Sequence, residues 1–135
     1  MITALRAGLV YGSGIFALGF LLGSLRERWL APLFGRDAVV LVEGPVILLA
    51  AWFFAWWLVR GHGVAGSASR RLAMGAVAFV VLMLGEAALA VFGFGRTLAM
   101  HLATYATTQG MLETMPQVAF GLFPLLHLIR ERFTA

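Results

Sequence analysis

Cysteine is absent from the 135-residue chain, and so is lysine; all ten basic residues are arginine. Without cysteine there is no disulfide, no thiolate metal site and no thiol redox chemistry. Charge of either sign is scarce, at 12% of residues against 61% hydrophobic. With a mean hydropathy of +0.93, the chain is too apolar for a water-soluble domain of its length. The exclusive use of arginine fits an arginine-rich, GC-rich bacterial coding style. Catalytic signatures are missing too. The loop Gly61-His62-Gly63-Val64-Ala65-Gly66 lacks the Lys-Ser/Thr of a phosphate cradle. Ser13, Ser24, Ser67 and Ser69 have no histidine–acid partners in view, and His62, His101 and His127 have neither the spacing nor the depth of a haem or metal site. No metal and no cofactor is expected.

What is present is four apolar runs, near residues 5–25, 38–59, 72–94 and 114–129. About 20 helical residues cross a hydrocarbon core of about 30 Å. The first three runs suffice. The fourth is short, with Pro116 placed for a first helical turn and Pro124 expected to kink its middle; a re-entrant segment is the alternative to a crossing. The first run has a single Arg6 and no small-x-small cleavage pattern, so it reads as a retained helix and not a signal peptide. The expected fold is all-α: one transmembrane domain over residues 1–135, built as a four-helix membrane bundle. Between helices three and four, Thr97, His101, Thr104 and Thr108 recur at helical intervals, beside Leu98, Leu102 and Tyr105. That pattern predicts a short amphipathic helix over 96–110, lying on the periplasmic surface and ended by Gly110.

Four crossings put both termini on the side of the 60–71 loop. That side carries Arg6, Arg60, Arg70, Arg71, Arg130 and Arg132, against Arg26, Arg28, Arg36 and Arg96 opposite. The bias places both termini in the cytoplasm of a bacterial inner membrane. Trp56 and Trp57 then mark the cytoplasmic interface and Trp29 the opposite one. The pI near 11.1 is accordingly a topology signal. Its arginines are scattered over loops, which argues against a nucleic-acid partner and leaves the lipid bilayer as the first one.

Two acids sit in otherwise lipid-compatible stretches: Glu43 and Glu86. A carboxylate there is costly, faces the bundle interior and needs a partner. Counting from Arg36 and Arg71, the two lie about 10 Å and about 8 Å below the same surface. Arg26 ends helix one at that surface and Gln117 starts helix four there. A cluster of Arg26, Glu43, Glu86 and Gln117 is therefore expected, with Tyr11, Arg28, Arg36 and His101 as outer candidates. Like charges cannot both ionise cheaply in such a place, so a guanidinium or a retained proton belongs between them. The amphipathic segment would cover the cluster as a lid. Two roles stay open, a clasp that sets helix register and a site for ligand, proton or substrate.

Helix one carries Gly8, Gly12, Gly19 and Gly23, spaced 4, 7 and 4, within an arc of roughly 60°. Two of these intervals are GxxxG, which lets helices approach closely. The face serves either the bundle itself or a homo-oligomer. Proline in Glu43-Gly44-Pro45 frees a backbone carbonyl beside Glu43.

The run Tyr11…Phe16…Gly19-Phe20…Gly23…Arg26, then Pro32…Gly35, Glu43-Gly44-Pro45 and Glu86, resembles a group of small bacterial inner-membrane proteins with no assigned function. The resemblance covers about the first two-thirds of the chain and implies the four-helix topology, with no chemistry attached. The expected function is a non-catalytic accessory subunit or assembly factor of a larger membrane complex. Alternatives are a small proton-linked carrier or channel, and a protein or enzyme binding a lipid or quinone-like headgroup through the same cluster.

Overall fold

The computed structural model describes residues 1–135 and is all-helical. Helix α1 runs Ile2–Leu25, passes through a π-helical turn at Arg26–Leu30 and continues into the short α2, Ala31–Phe34. Gly35 breaks it at φ +84°, a left-handed backbone that glycine adopts without penalty. Helix α3 spans Arg36–Gly61. Helix α4 spans Ala68–Ala88 and ends in a second π-helical turn, Leu89–Gly93; α5 is Leu98–Thr104 and α6 is Thr108–Thr134. Four of these, Ile2–Phe34, Arg36–Gly61, Ala68–Gly93 and Thr108–Thr134, are long and apolar enough to cross a membrane.

Two expectations need correcting at α5 and α6. The predicted amphipathic helix over 96–110 is only seven residues long, Leu98–Thr104, because the chain turns at 105–107. Of the recurring threonines only Thr97 caps a helix, Thr104 bonds back to the His101 carbonyl at 2.6 Å, and the second cap is Thr107, one residue before Thr108. Thr97 accepts from the Met100 amide at 3.1 Å and Thr107 from the Gly110 amide at 3.0 Å, so each caps a helix start. Gly110 therefore opens α6 instead of ending α5, and a side chain there would collide with the Thr104 carbonyl. With that earlier start α6 has 27 residues, about 40 Å, and is long and apolar enough to cross a membrane; Pro116 lies inside it, not in its first turn.

The helices run alternately up and down, but neighbours in sequence are not all neighbours in space. Helix α1 packs chiefly along α4, and α4 along α6, while α3 completes the ring with lighter contacts to α1 and α6. Helices α3 and α4 face each other across the diagonal. The core follows this order: Ala4, Ala7, Tyr11 and Ile15 of α1 meet Met74, Ala78 and Leu82 of α4, with Ala51, Ala55, Leu58, Val59 and Phe120 closing the sides. Most other large apolar side chains are exposed, as lipid-facing surfaces require.

Close approach depends on particular glycines. A methyl on Gly8 or Gly12 would come within 2.6 Å of the Met74 or Ala78 carbonyl, and one on Gly75 would collide with the Gly121 backbone of α6. Of the four glycines expected on one face of α1, Gly8 and Gly12 lie against α4. Gly19 meets nothing and Gly23 only the tip of Arg26; beyond Gly12 the close approach of α1 to α4 is made by the Phe16 ring over Gly85 instead of by glycine.

Candidate functional site

The expected four-member cluster is two separate pairs. At the end of the bundle away from the termini, Arg26 Nη1 donates to Glu43 Oε2 at 2.7 Å, joining α1 to α3. Its Nε donates to Glu27 at 3.2 Å, and Arg36 lies 3.6 Å from the same Glu27 oxygen. On the other side of the ring, Gln117 Nε2 donates to Glu86 Oε1 at 2.6 Å, joining α6 to α4. No hydrogen bond or ion pair links Glu43 or Arg26 to Glu86 or Gln117. Counting residues gives a position along each helix but none around the ring. Arg26 finds its carboxylate on α3 and has none left for Glu86.

The outer candidates divide further. Arg28 is exposed without a salt bridge, and Arg36 is a surface partner of Glu27. Tyr11 belongs to the centre of the bundle. Its ring touches Phe54 and Phe120, and its hydroxyl donates to the Phe120 carbonyl at 3.1 Å. Pro124 explains that bond: it lacks the N–H that would normally reach the carbonyl four residues back, which is Phe120. His101 is buried instead of lining a surface site, with Nε2 3.1 Å from the Tyr105 hydroxyl. Tyr105 in turn lies 3.8 Å from the Met83 sulfur. Burial pushes the Tyr105 phenol up, and the negative charge of Glu86 nearby raises it further. His101 and Tyr105 therefore group with Glu86 and Gln117, on the α4–α6 side only.

The opposite end holds a polar set that the sequence reading missed. Arg71 belongs to α4 and not to the loop before it, with its side chain 3% exposed. It donates to the Pro124 carbonyl at 3.3 Å and to Glu131 at 3.1 Å, while its Nε has no partner. His127 is also buried, stacked on Trp52 with ring centres 3.9 Å apart and Nε2 2.9 Å from the Trp52 carbonyl. A signal existed in Ser67, whose side chain caps α4 and starts that helix four residues before Arg71. Arg60 over Trp56, 4.7 Å from the ring centre, marks the same end.

One cavity lies beside Tyr105, between α4 and α6. About 460 Å³ in volume, it is lined by Met83, Tyr105, Met111, Thr114, Met115 and Val118. Nowhere do three His, Asp or Glu side chains converge as a metal site would need. Comparison with protein-family models, curated proteins and solved structures finds no match to this chain.

Proposed function

We propose that this chain is a non-catalytic subunit or assembly factor of a larger membrane complex, resident in a bacterial inner membrane with both termini cytoplasmic. One observation carries the reading: the ionisable and amide side chains best shielded inside the spans, Arg26, Glu43, Arg71, Glu86, Gln117 and His127, are spent on tying one helix to another. Arg26–Glu43 joins α1 to α3, Glu86–Gln117 and Arg71–Glu131 join α4 to α6, Tyr11 joins α1 to α6, and His127 joins α6 to α3. Such bonds hold a bundle together where there is no water to satisfy the groups. They leave no nucleophile, base and oxyanion donor converging on one point. The carrier reading draws less support, since Glu43 is occupied by Arg26 and no polar path joins it to Glu86. The arginine bias of six to four between the two sides supports the orientation.

The test is extraction of the chain from native membranes in mild detergent, followed by intact mass spectrometry. A larger membrane protein in fixed stoichiometry is expected, lost when Glu43→Gln loosens the α1–α3 clasp. Isolation as a lone monomer or homodimer, with transport or turnover abolished by Glu43→Gln in a folded protein, overturns the reading.

A further inference from the structure

Of the chain's six acids, two are shielded inside spans, Glu43 and Glu86, and their surroundings differ. Glu43 has the Arg26 guanidinium at 2.7 Å. Glu86 has no ion pair: the arginines that pair with acids are spent on Glu27, Glu43 and Glu131. Its hydrogen-bond partner is a neutral group, the Gln117 amide at 2.6 Å. Among the titratable groups on neighbouring elements, Tyr105 and His101 are bonded to each other at 3.1 Å, and Glu113, one turn before Gln117 on α6, is a second acid. A lone carboxylate in a membrane interior is costly and calls for a partner.

The amide is short of a hydrogen in its turn. Gln117 gives its N–H to Glu86, and its Oε1 is buried with no donor, an arrangement that costs the desolvation of that oxygen. Thr114 cannot supply one, because its hydroxyl is given to the Gly110 carbonyl at 2.7 Å. The Tyr105 hydroxyl is taken up by His101 and the Met83 sulfur. Exchanging the oxygen and nitrogen of the amide does not remove the shortage. Oε1 would then stand 2.6 Å from a carboxyl oxygen, and two oxygens that close need a hydrogen between them. An ionised carboxyl only accepts, whereas a protonated one carries an O–H donor. We propose that Glu86 is a proton-binding site, holding at neutral pH a hydrogen that its carboxyl gives to Gln117 Oε1 while the amide N–H is returned to the other carboxyl oxygen. One bound proton removes both the unpaired charge on α4 and the bare acceptor on α6, and closes the two-bond ring of an acid–amide pair. The push of Glu86 on the Tyr105 phenol belongs to the ionised form and vanishes when the proton is bound. A proton held there lets an acid without a cation tie α4 to α6, whether or not a partner protein is attached.

Infrared spectroscopy of the full chain at neutral pH, in a maltoside detergent that has no carbonyl of its own, tests the site. The carbonyl stretch of a neutral carboxylic acid is expected, apart from the amide and carboxylate bands and shifted slightly down in heavy water. Its absence overturns the proposal whatever the variants do. Glu86→Gln should delete the band, and Gln117→Leu should raise its frequency, since an acid carbonyl freed of its donor stretches higher. A band that survives the first change, or is unmoved by the second, overturns the site. The unmodified chain gives a second assignment if a variant fails to fold. Dicyclohexylcarbodiimide enters the apolar phase and reacts with a protonated carboxyl: the acid O–H adds across one C=N bond, hydrogen to nitrogen and oxygen to carbon, and the acyl group then migrates to nitrogen as a stable N-acylurea. Peptide mass spectrometry should find that adduct on Glu86, with Glu43 spared by its pairing to Arg26. Labelling of Glu43 as readily as Glu86 overturns the proposal, and co-isolation of a partner has no bearing on it.

Discussion

At the scale of single residues, the chain solves its proline problem with a tyrosine. Pro124 strips the Phe120 carbonyl of its helical donor, and Tyr11 reaches across the bundle to replace it. Tyr11→Phe should therefore cost about 1–2 kcal/mol of stability, and markedly less in a Pro124→Ala background, where the restored amide satisfies Phe120. Thermal unfolding of the four proteins in detergent forms the double-mutant cycle that reads this coupling; equal losses in both backgrounds would disprove it. Arg71 invites a second test. Removing Glu131 alone leaves a buried guanidinium short of its counter-charge, whereas replacing Arg71 as well removes the need. Glu131→Ala should destabilise more than the double variant Arg71→Met/Glu131→Ala, measured the same way. Neither tyrosine nor arginine announced itself in the sequence as a partner of Pro124. Sequence counting places a residue along an axis, and these bonds depend on which helices share a side of the ring.

At the scale of elements, the tight contacts belong to α4. Gly8 and Gly12 of α1 lie against it on one flank and Gly121 of α6 on another, so the backbone of α4 is approached from two directions. The four apolar runs were legible because length and hydropathy alone define a span. The glycine face was legible only in part, since periodicity identifies one side of a helix but not how far a neighbour follows it. Gly19 and Gly23 continue the pattern past the point where glycine makes the contact with α4. The α5–α6 boundary was misplaced because the helical-interval series Thr97, His101, Thr104 and Thr108 runs straight across the turn at 105–107, where Thr107, outside that series, caps α6. Gly75→Ala should thus destabilise the bundle by about 1–3 kcal/mol through overpacking, with Gly19→Leu close to neutral. Denaturation in mixed detergent micelles checks the pair. A tolerated Gly75→Ala, or a damaging Gly19→Leu, would show that α4 is not the tight seam.

At the scale of the whole molecule, the ring order α1–α4–α6–α3 makes a topological claim that the sequence alone did not contain. Helices joined by short loops usually pack side by side, yet α3 and α4 lie diagonally although only residues 62–67 connect them. Six extended residues reach about 20 Å, and the diagonal of a bundle with sides of 8–10 Å is about 14 Å, so the loop is long enough without strain. The same order explains why the intramembrane acids part company: Glu43 sits on α3 and Glu86 on α4, at opposite corners. Because the chain has no cysteine of its own, introduced pairs report cleanly on this arrangement. Phe16→Cys with Gly85→Cys, across a contact of 2.8 Å between the Phe16 ring and the space above Gly85, should cross-link through a short bifunctional maleimide. Phe53→Cys with Val80→Cys, both exposed on the diagonal helices, should stay unlinked within one chain. Cross-linking in the second pair and not the first would place α3 beside α4, and would bring Glu43 and Glu86 back to a common side of the bundle.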